Sequence, residues 1–80
     1  MIQISVKLLA TYRKKLPEGT KGSTCQIEVP THSVVRHIVE QFDLTYDETN
    51  VVLLNGRVTD PEQKLKNDDV VCVFPALAGG

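Results

Sequence analysis

Few residues in this chain combine a reactive side chain with a spacing that would use it. Cys25 and Cys72 stand alone and form no metal-ligand pattern. On count alone they allow one disulfide. The favoured reading is two reduced, partly buried thiols in a cytosolic strand context. A metal or base role for His32 and His37 needs partners that the spacing does not offer, so they read as solvated residues near the start of a helix. Arg13-Lys14-Lys15 reads as a solvated turn, with an acidic partner rim as the alternative. Asp68-Asp69 reads as turn chemistry. The unusual feature is the last stretch, FPALAGG, in which an apolar strand-like run gives way to small and aliphatic residues and then Gly79-Gly80. Chain ends are normally polar and frayed. A thin, side-chain-poor ending suggests that the terminal atoms themselves are used. No residue is assigned a catalytic or metal-ligating role.

The body of the chain must hold such an end in place. Eighty residues make one domain, and a core of that size leaves on the order of 3–5 kcal/mol of net stability. That leaves little material for a deep catalytic cleft. Nine basic and ten acidic residues are interspersed, for a formal net charge of −1. No basic field points to nucleic acid. No apolar run approaches the length of a membrane helix, and the first residues, MIQISVKLL, do not resemble a signal peptide. The chain reads as cytoplasmic, with neither nucleic acid nor membrane as a partner.

Hydrophobic periodicity supplies the elements. Ile2, Ile4, Val6 and Leu8 alternate with polar residues, the period of a half-buried strand. Residues 11–22 are polar and carry Pro17, Gly19 and Gly22, a loop that can open with a helical turn around Tyr12–Leu16. Thr24–Val29 alternates again and pairs with the first strand as a hairpin. Val34, Val35, Ile38, Val39 and Phe42 then form one stripe of a helix, with Thr31 or Ser33 expected to supply the N-cap oxygen. Arg36, Glu40 and Gln41 should face water. VVLL followed by Asn55-Gly56 predicts a strand and a tight hairpin turn, with a short extended piece at Arg57–Thr59. Leu65 is a lone apolar residue in a polar connection and should plug one end of the core. VVCVFP is the last strand. The first and last strands are the most apolar and belong at the centre, and if they are parallel the helix provides their crossover. The expected fold is α+β: a single β-grasp, ubiquitin-like domain, a mixed sheet with one main helix packed on one face.

Three stretches carry a closer resemblance. MIQISVKLLATYRKKLP, VVLLNGRVTDPEQKLKNDDVVCVFP and FPALAGG are similar to the ubiquitin-like sulfur carriers, and most of all to the small subunit of molybdopterin synthase. Asn55, Leu65, Asp69, Val70, Phe74 and Pro75 fall at matching places. Relatives of the thiamine-pathway carrier belong to the same group. Two departures stand out. Asn67 stands for a turn glycine, which a left-handed asparagine can replace, and Ala76 stands for a second proline.

The resemblance implies a β-grasp domain over residues 1–75 and a flexible tail over 76–80. It implies that Gly80 is adenylated and then converted to a thiocarboxylate, with Leu77, Ala78 and Gly79 forming the thin segment that enters partner channels. It also implies partners: a ubiquitin-activating-like adenylyltransferase that uses ATP and magnesium, a sulfurtransferase as sulfur source, and the large subunit of molybdopterin synthase. No cofactor is expected on this chain. If Val52, Leu54, Val71 and Val73 point inward, then Val51, Leu53, Cys72 and Phe74 point outward. Phe74, Pro75, Val51 and Leu53 would then form a docking surface beside the tail, unless a helix or loop covers them. Carriers for thiamine, transfer-RNA thiolation or amino-acid sulfuration, a ubiquitin-like protein modifier, a β-grasp interaction module and a small thiol enzyme are the alternatives.

Overall fold

The computed structural model describes residues 1–76. The alternating segment at the start forms β1, Ile2–Leu8, with Ile4, Val6 and Leu8 buried. A 3-10 turn over Ala10–Lys15 follows, and then β2, Thr24–Val29. Helix α1 spans Val35–Gln41, β3 Asn50–Leu54, β4 Arg57–Val58 and β5 Val70–Pro75. The five strands form one sheet in the order β2-β1-β5-β3-β4. β1 and β5 run parallel at its centre, whereas β1–β2, β3–β5 and β3–β4 are antiparallel. This is the mixed sheet and β-grasp arrangement that the periodicity implies, with α1 in the connection between the two halves.

Cross-strand registers sort the side chains into two faces. On the inner face Cys25, Val6, Val71 and Leu54 lie in one row, and Leu8, Val73 and Val52 in the next. Val35, Ile38 and Val39 of α1 close over these rows, together with Leu44 and Leu65. Leu65 is 5% exposed, so the lone apolar residue of the polar connection does plug the core. The two cysteines are free. Cys25 shares the inner face with Val6, while Cys72 shares the outer face with Lys7, so the sheet separates them and a disulfide between them is ruled out.

The start of α1 corrects the expected cap. Neither Thr31 nor Ser33 caps it; the N-cap residue is Val34, which has no side-chain oxygen to offer. The Ser33 hydroxyl instead donates to the Pro30 carbonyl, 2.6 Å away. Carbonyls of the loop before Leu65 satisfy the first helical amides: Val35 N–H donates to Gln63 at 3.0 Å and Arg36 N–H to Pro61 at 2.9 Å. His37 Nδ1 accepts from the Val34 amide at 3.4 Å, and Arg36 pairs with Glu62 of the same loop at 2.7 Å. A helix rich in β-branched residues is a weak helix by propensity; here its first turn is held by tertiary bonds.

Two turns matter for β5. Asn55 and Gly56 both have positive φ, 53° and 85°, as a two-residue type I′ hairpin requires. The Asn55 side chain also accepts from the Val70 amide and donates to Asp69, each at 2.9 Å, which ties the β3–β4 turn to the start of β5. Before β5 the left-handed residue is Asp68, φ 72°, not Asn67. The Asn67 side chain instead accepts from the Gln3 amide at 2.9 Å. Asparagine at position 67 is thus a cross-link to β1.

Candidate functional site

The described chain ends one residue past β5, at Ala76. Pro75 sits opposite Asn50 of β3. Proline within a central strand would break a ladder. β1, however, has already ended, since its pairing with β5 stops at Leu8 opposite Val73. At Pro75 no β1 ladder calls for an amide proton. The last bond of the β3 side is donated by Ala76, whose N–H reaches the Thr49 carbonyl at 2.9 Å.

Thr49 is held by its own neighbours. Its amide donates to Asp47 Oδ1 at 2.9 Å, and its hydroxyl donates to the same oxygen. These two bonds hold the Asp47 carboxyl below the usual aspartate range, the hydroxyl contributing most. Asn50 Nδ2 donates to the Thr45 carbonyl at 2.6 Å, and Asn50 Oδ1 accepts from the Tyr12 hydroxyl. Tyr12 lies in the 3-10 turn after β1 and packs its ring against the core. The turn, the 45–50 loop and β5 thus converge on the root of the last segment. Sequence reading passes over this network, although Asp47-Glu48-Thr49 carries a detectable sign of it, an aspartate two residues before a polar donor.

The outer face of the sheet divides by strand. On β1 and β2 it presents Ser5, Lys7, Thr24 and Gln26. On β5, β3 and β4 it is apolar. One row runs from Cys72 to Leu53 to Val58, and the next pairs Phe74 with Val51. Val51, Leu53, Cys72 and Phe74 are half-buried, whereas Val58 is 85% exposed. Val70, opposite Ser5, is 37% exposed at the edge of the same surface. Phe74, Val51 and Leu53 therefore face away from α1, and they adjoin Pro75. The sequence reading missed Val58 and Val70, because facing depends on register and the two-residue β4 has no periodicity of its own.

Arg13, Lys14 and Lys15 are exposed on the turn that carries Tyr12. Arg13 and Lys14 line an open groove of about 380 Å³ with Ala10, Thr20 and Gly22. The thiols lack activation: burial raises the pKa of Cys25, and it raises that of Cys72 more than Lys7 lowers it. A protonated thiol is a poor nucleophile. His32 and His37 are exposed, and among the described residues no three His, Cys, Asp or Glu side chains gather to hold a metal. Leu77, Ala78, Gly79 and Gly80, on which the carrier chemistry was placed, lie outside the described residues.

A five-stranded mixed sheet with parallel β1 and β5 at its centre and a crossover helix on one face defines the β-grasp class. Residues 6–80 match the ThiS family, and the chain belongs to that family of ubiquitin-like sulfur carriers. Its fold is shared with a protein from Pyrococcus furiosus provisionally described as molybdopterin converting factor, subunit 1. The two are 27% identical, with 96% of this chain and 100% of that one covered and a TM-score of 0.76. Small archaeal modifier protein 1 of Haloferax volcanii is 16% identical over 96% of this chain and 100% of its own, at a TM-score of 0.77. The complex of subunits 1 and 2 of the molybdopterin-converting factor from Helicobacter pylori contains a chain 18% identical. That match covers 99% of this chain and 100% of that one, at a TM-score of 0.61. No curated protein matches by sequence.

Proposed function

We propose that this protein carries sulfur as a thiocarboxylate on Gly80 and donates it in the synthesis of the molybdopterin (molybdenum or tungsten) cofactor, as the small subunit of a two-subunit synthase. The observation that carries the reading is the match of residues 6–80 to the ThiS family, which extends through FPALAGG. The Pyrococcus protein supports the molybdopterin pathway. The Helicobacter complex supports a second subunit as partner.

The chemistry follows from the residue types. A carboxylate is anionic and its oxygen leaves poorly. With Gly80 as a free terminus, its oxygen attacks the α-phosphorus of ATP in the active site of an adenylyltransferase, with magnesium, and pyrophosphate leaves. A persulfide supplied by a sulfurtransferase attacks the acyl carbon and AMP leaves, giving an acyl disulfide. A second thiol attacks the sulfur of that bond that is not attached to the acyl carbon. A disulfide forms and the thiocarboxylate departs with the transferred sulfur. Glycine at positions 79 and 80 puts no Cβ beside the reacting carbon and accepts whatever φ a channel imposes. The four residues beyond Ala76 can reach at most about 13–14 Å at 3.3–3.6 Å each. Phe74, Val51 and Leu53, with Val58 and Val70, supply the apolar docking face, and Pro75 sets the direction of exit. The reaction takes place in the cytoplasm. This chain contributes the carried group, and its partners contribute the catalysts.

A second reading has its own support. The likeness in fold to small archaeal modifier protein 1 favours attack on the same adenylate by a target lysine, giving an isopeptide bond.

The pathway is tested by preparing the protein with a thiocarboxylate at Gly80 and mixing it with the large subunit of a molybdopterin synthase and its pterin precursor. Dithiolene formation with stoichiometric loss of the thiocarboxylate is expected. Thiocarboxylate that persists without product assigns the carrier to another sulfur acceptor.

A further inference from the structure

We infer that Tyr12 and Asn50 form a clamp that fixes Ala76 at the end of β5, and so act as positioning residues for the chemistry proposed at Gly80. The inference rests on the proposed carrier function and assigns it two residues outside the tail.

Among the described residues, Ala76 is held from the β3 side. Its N–H bonds to the Thr49 carbonyl at 2.9 Å, and β1 ended at Leu8, opposite Val73. The direction of the chain beyond Pro75 therefore depends on where the Thr49 carbonyl lies. The Asx turn of Asp47 shapes Thr49 locally, but it does not connect the 45–50 loop to the rest of the domain. Tyr46 ties the start of that loop down, its ring on the core and its hydroxyl donating to the Thr59 carbonyl at 2.7 Å; Asn50 ties down the end that carries Thr49. Its amide nitrogen donates to Thr45 at 2.6 Å, closing the loop, and its amide oxygen accepts from the Tyr12 hydroxyl. The Tyr12 ring packs on the core, so the hydroxyl is a fixed point presented from the other side of β5. A phenylalanine would fill the same space without the bond.

The same strands carry the docking face: Asn50 is followed by Val51, and Pro75 is preceded by Phe74. A partner that seats Val51 and Phe74 thereby sets the root of the tail against the mouth of its own channel. If the Ala76 bond opens, the tether gains one residue, about 3.3–3.6 Å, and loses its initial direction. Reactions at a tethered group are sensitive to displacements of about 1 Å. The docking face keeps its residues throughout, so the effect belongs in turnover and not in association.

The test is Tyr12→Phe, with Asn50→Ala as the second variant, in the full chain. Three quantities are read: the thermal midpoint, amide exchange at Ala76 compared with Val71 and Val73, and the steady-state constants for adenylation by the cognate adenylyltransferase. Tyr12→Phe is expected to leave exchange at Val71 and Val73 unchanged and to speed exchange at Ala76. It should lower kcat about tenfold, the equivalent of one lost hydrogen bond, with KM for the carrier within twofold. Unchanged exchange at Ala76 in both variants overturns the clamp. Faster exchange with unchanged kcat overturns its role in positioning. A higher KM with unchanged kcat makes Tyr12 part of the docking surface and also overturns the inference. If the wild-type protein is itself not adenylated, the carrier reading fails and the positioning role falls with it. That failure is recognised in the wild type, before any variant is compared.

Discussion

Adjacent residues of β3 should respond in opposite ways to the same substitution. Val52 is 5% exposed, faces α1 and is paired with Val73. Leu53 faces away and is half-buried between Cys72 and Val58. A lysine at position 52 forfeits about 1.5–3 kcal/mol of apolar burial and places an unpaired ammonium in the core, a penalty of several kcal/mol more. A core of this size leaves on the order of 3–5 kcal/mol of net stability, so Val52→Lys should abolish cooperative folding. Lysine at position 53 can lay its stem along the sheet and keep its charge in water, with a stability change within about 1 kcal/mol. The same charge at the centre of a docking surface should weaken partner binding by at least about 2 kcal/mol, roughly thirtyfold. Thermal unfolding followed by circular dichroism reads the first effect. Titration calorimetry against the adenylyltransferase and against the large synthase subunit reads the second. Equal loss of stability in the two variants would refute the assignment of faces. A folded Leu53→Lys protein that binds both partners as tightly as wild type would refute the docking surface.

Two other predictions concern charge. The Asp47 carboxyl lies below its ordinary value of 3.8 because Thr49 donates to it. A depressed folded pKa contributes stability that is fully present above the ordinary value and is lost as pH falls through the folded one. Wild type should therefore lose more stability than Asp47→Asn as pH falls below about 4, read by denaturant titration at a series of pH values; parallel curves would contradict the Asx turn. Arg13→Glu with Lys14→Glu should slow association with the adenylyltransferase about tenfold at low salt, and the difference should shrink as salt screens it. Stopped-flow rates equal to wild type at low salt would make the basic turn a solvated surface.

Much of the fold was legible because a buried face leaves a periodic trace. β1 and β2 alternate strictly, α1 carries one apolar stripe, and Asn55-Gly56 announces its turn. What was not legible depends on partners distant in sequence. The cap of α1 comes from backbone carbonyls at Pro61 and Gln63, which any residue type could supply. The left-handed position before β5 passed from Asn67 to Asp68 because the Asn67 side chain was engaged by Gln3. The root of the tail was hidden for the same reason. Tyr12, Thr49 and Asn50 lie in two segments that read as polar connections, and it takes the pairing of both β1 and β3 with β5 to bring them to one end of the sheet. The resemblance in FPALAGG pointed to the chemistry, but it said nothing of what holds Ala76.

Intact-mass spectrometry of the protein from its native cells tests the central claim most directly. A sulfur carrier predicts a fraction in which one oxygen is replaced by sulfur, and fragmentation should place that exchange on Gly80. Protein without any sulfur-exchanged form, together with a tail remnant on lysines of other proteins, would contradict the carrier function and establish the modifier in its place.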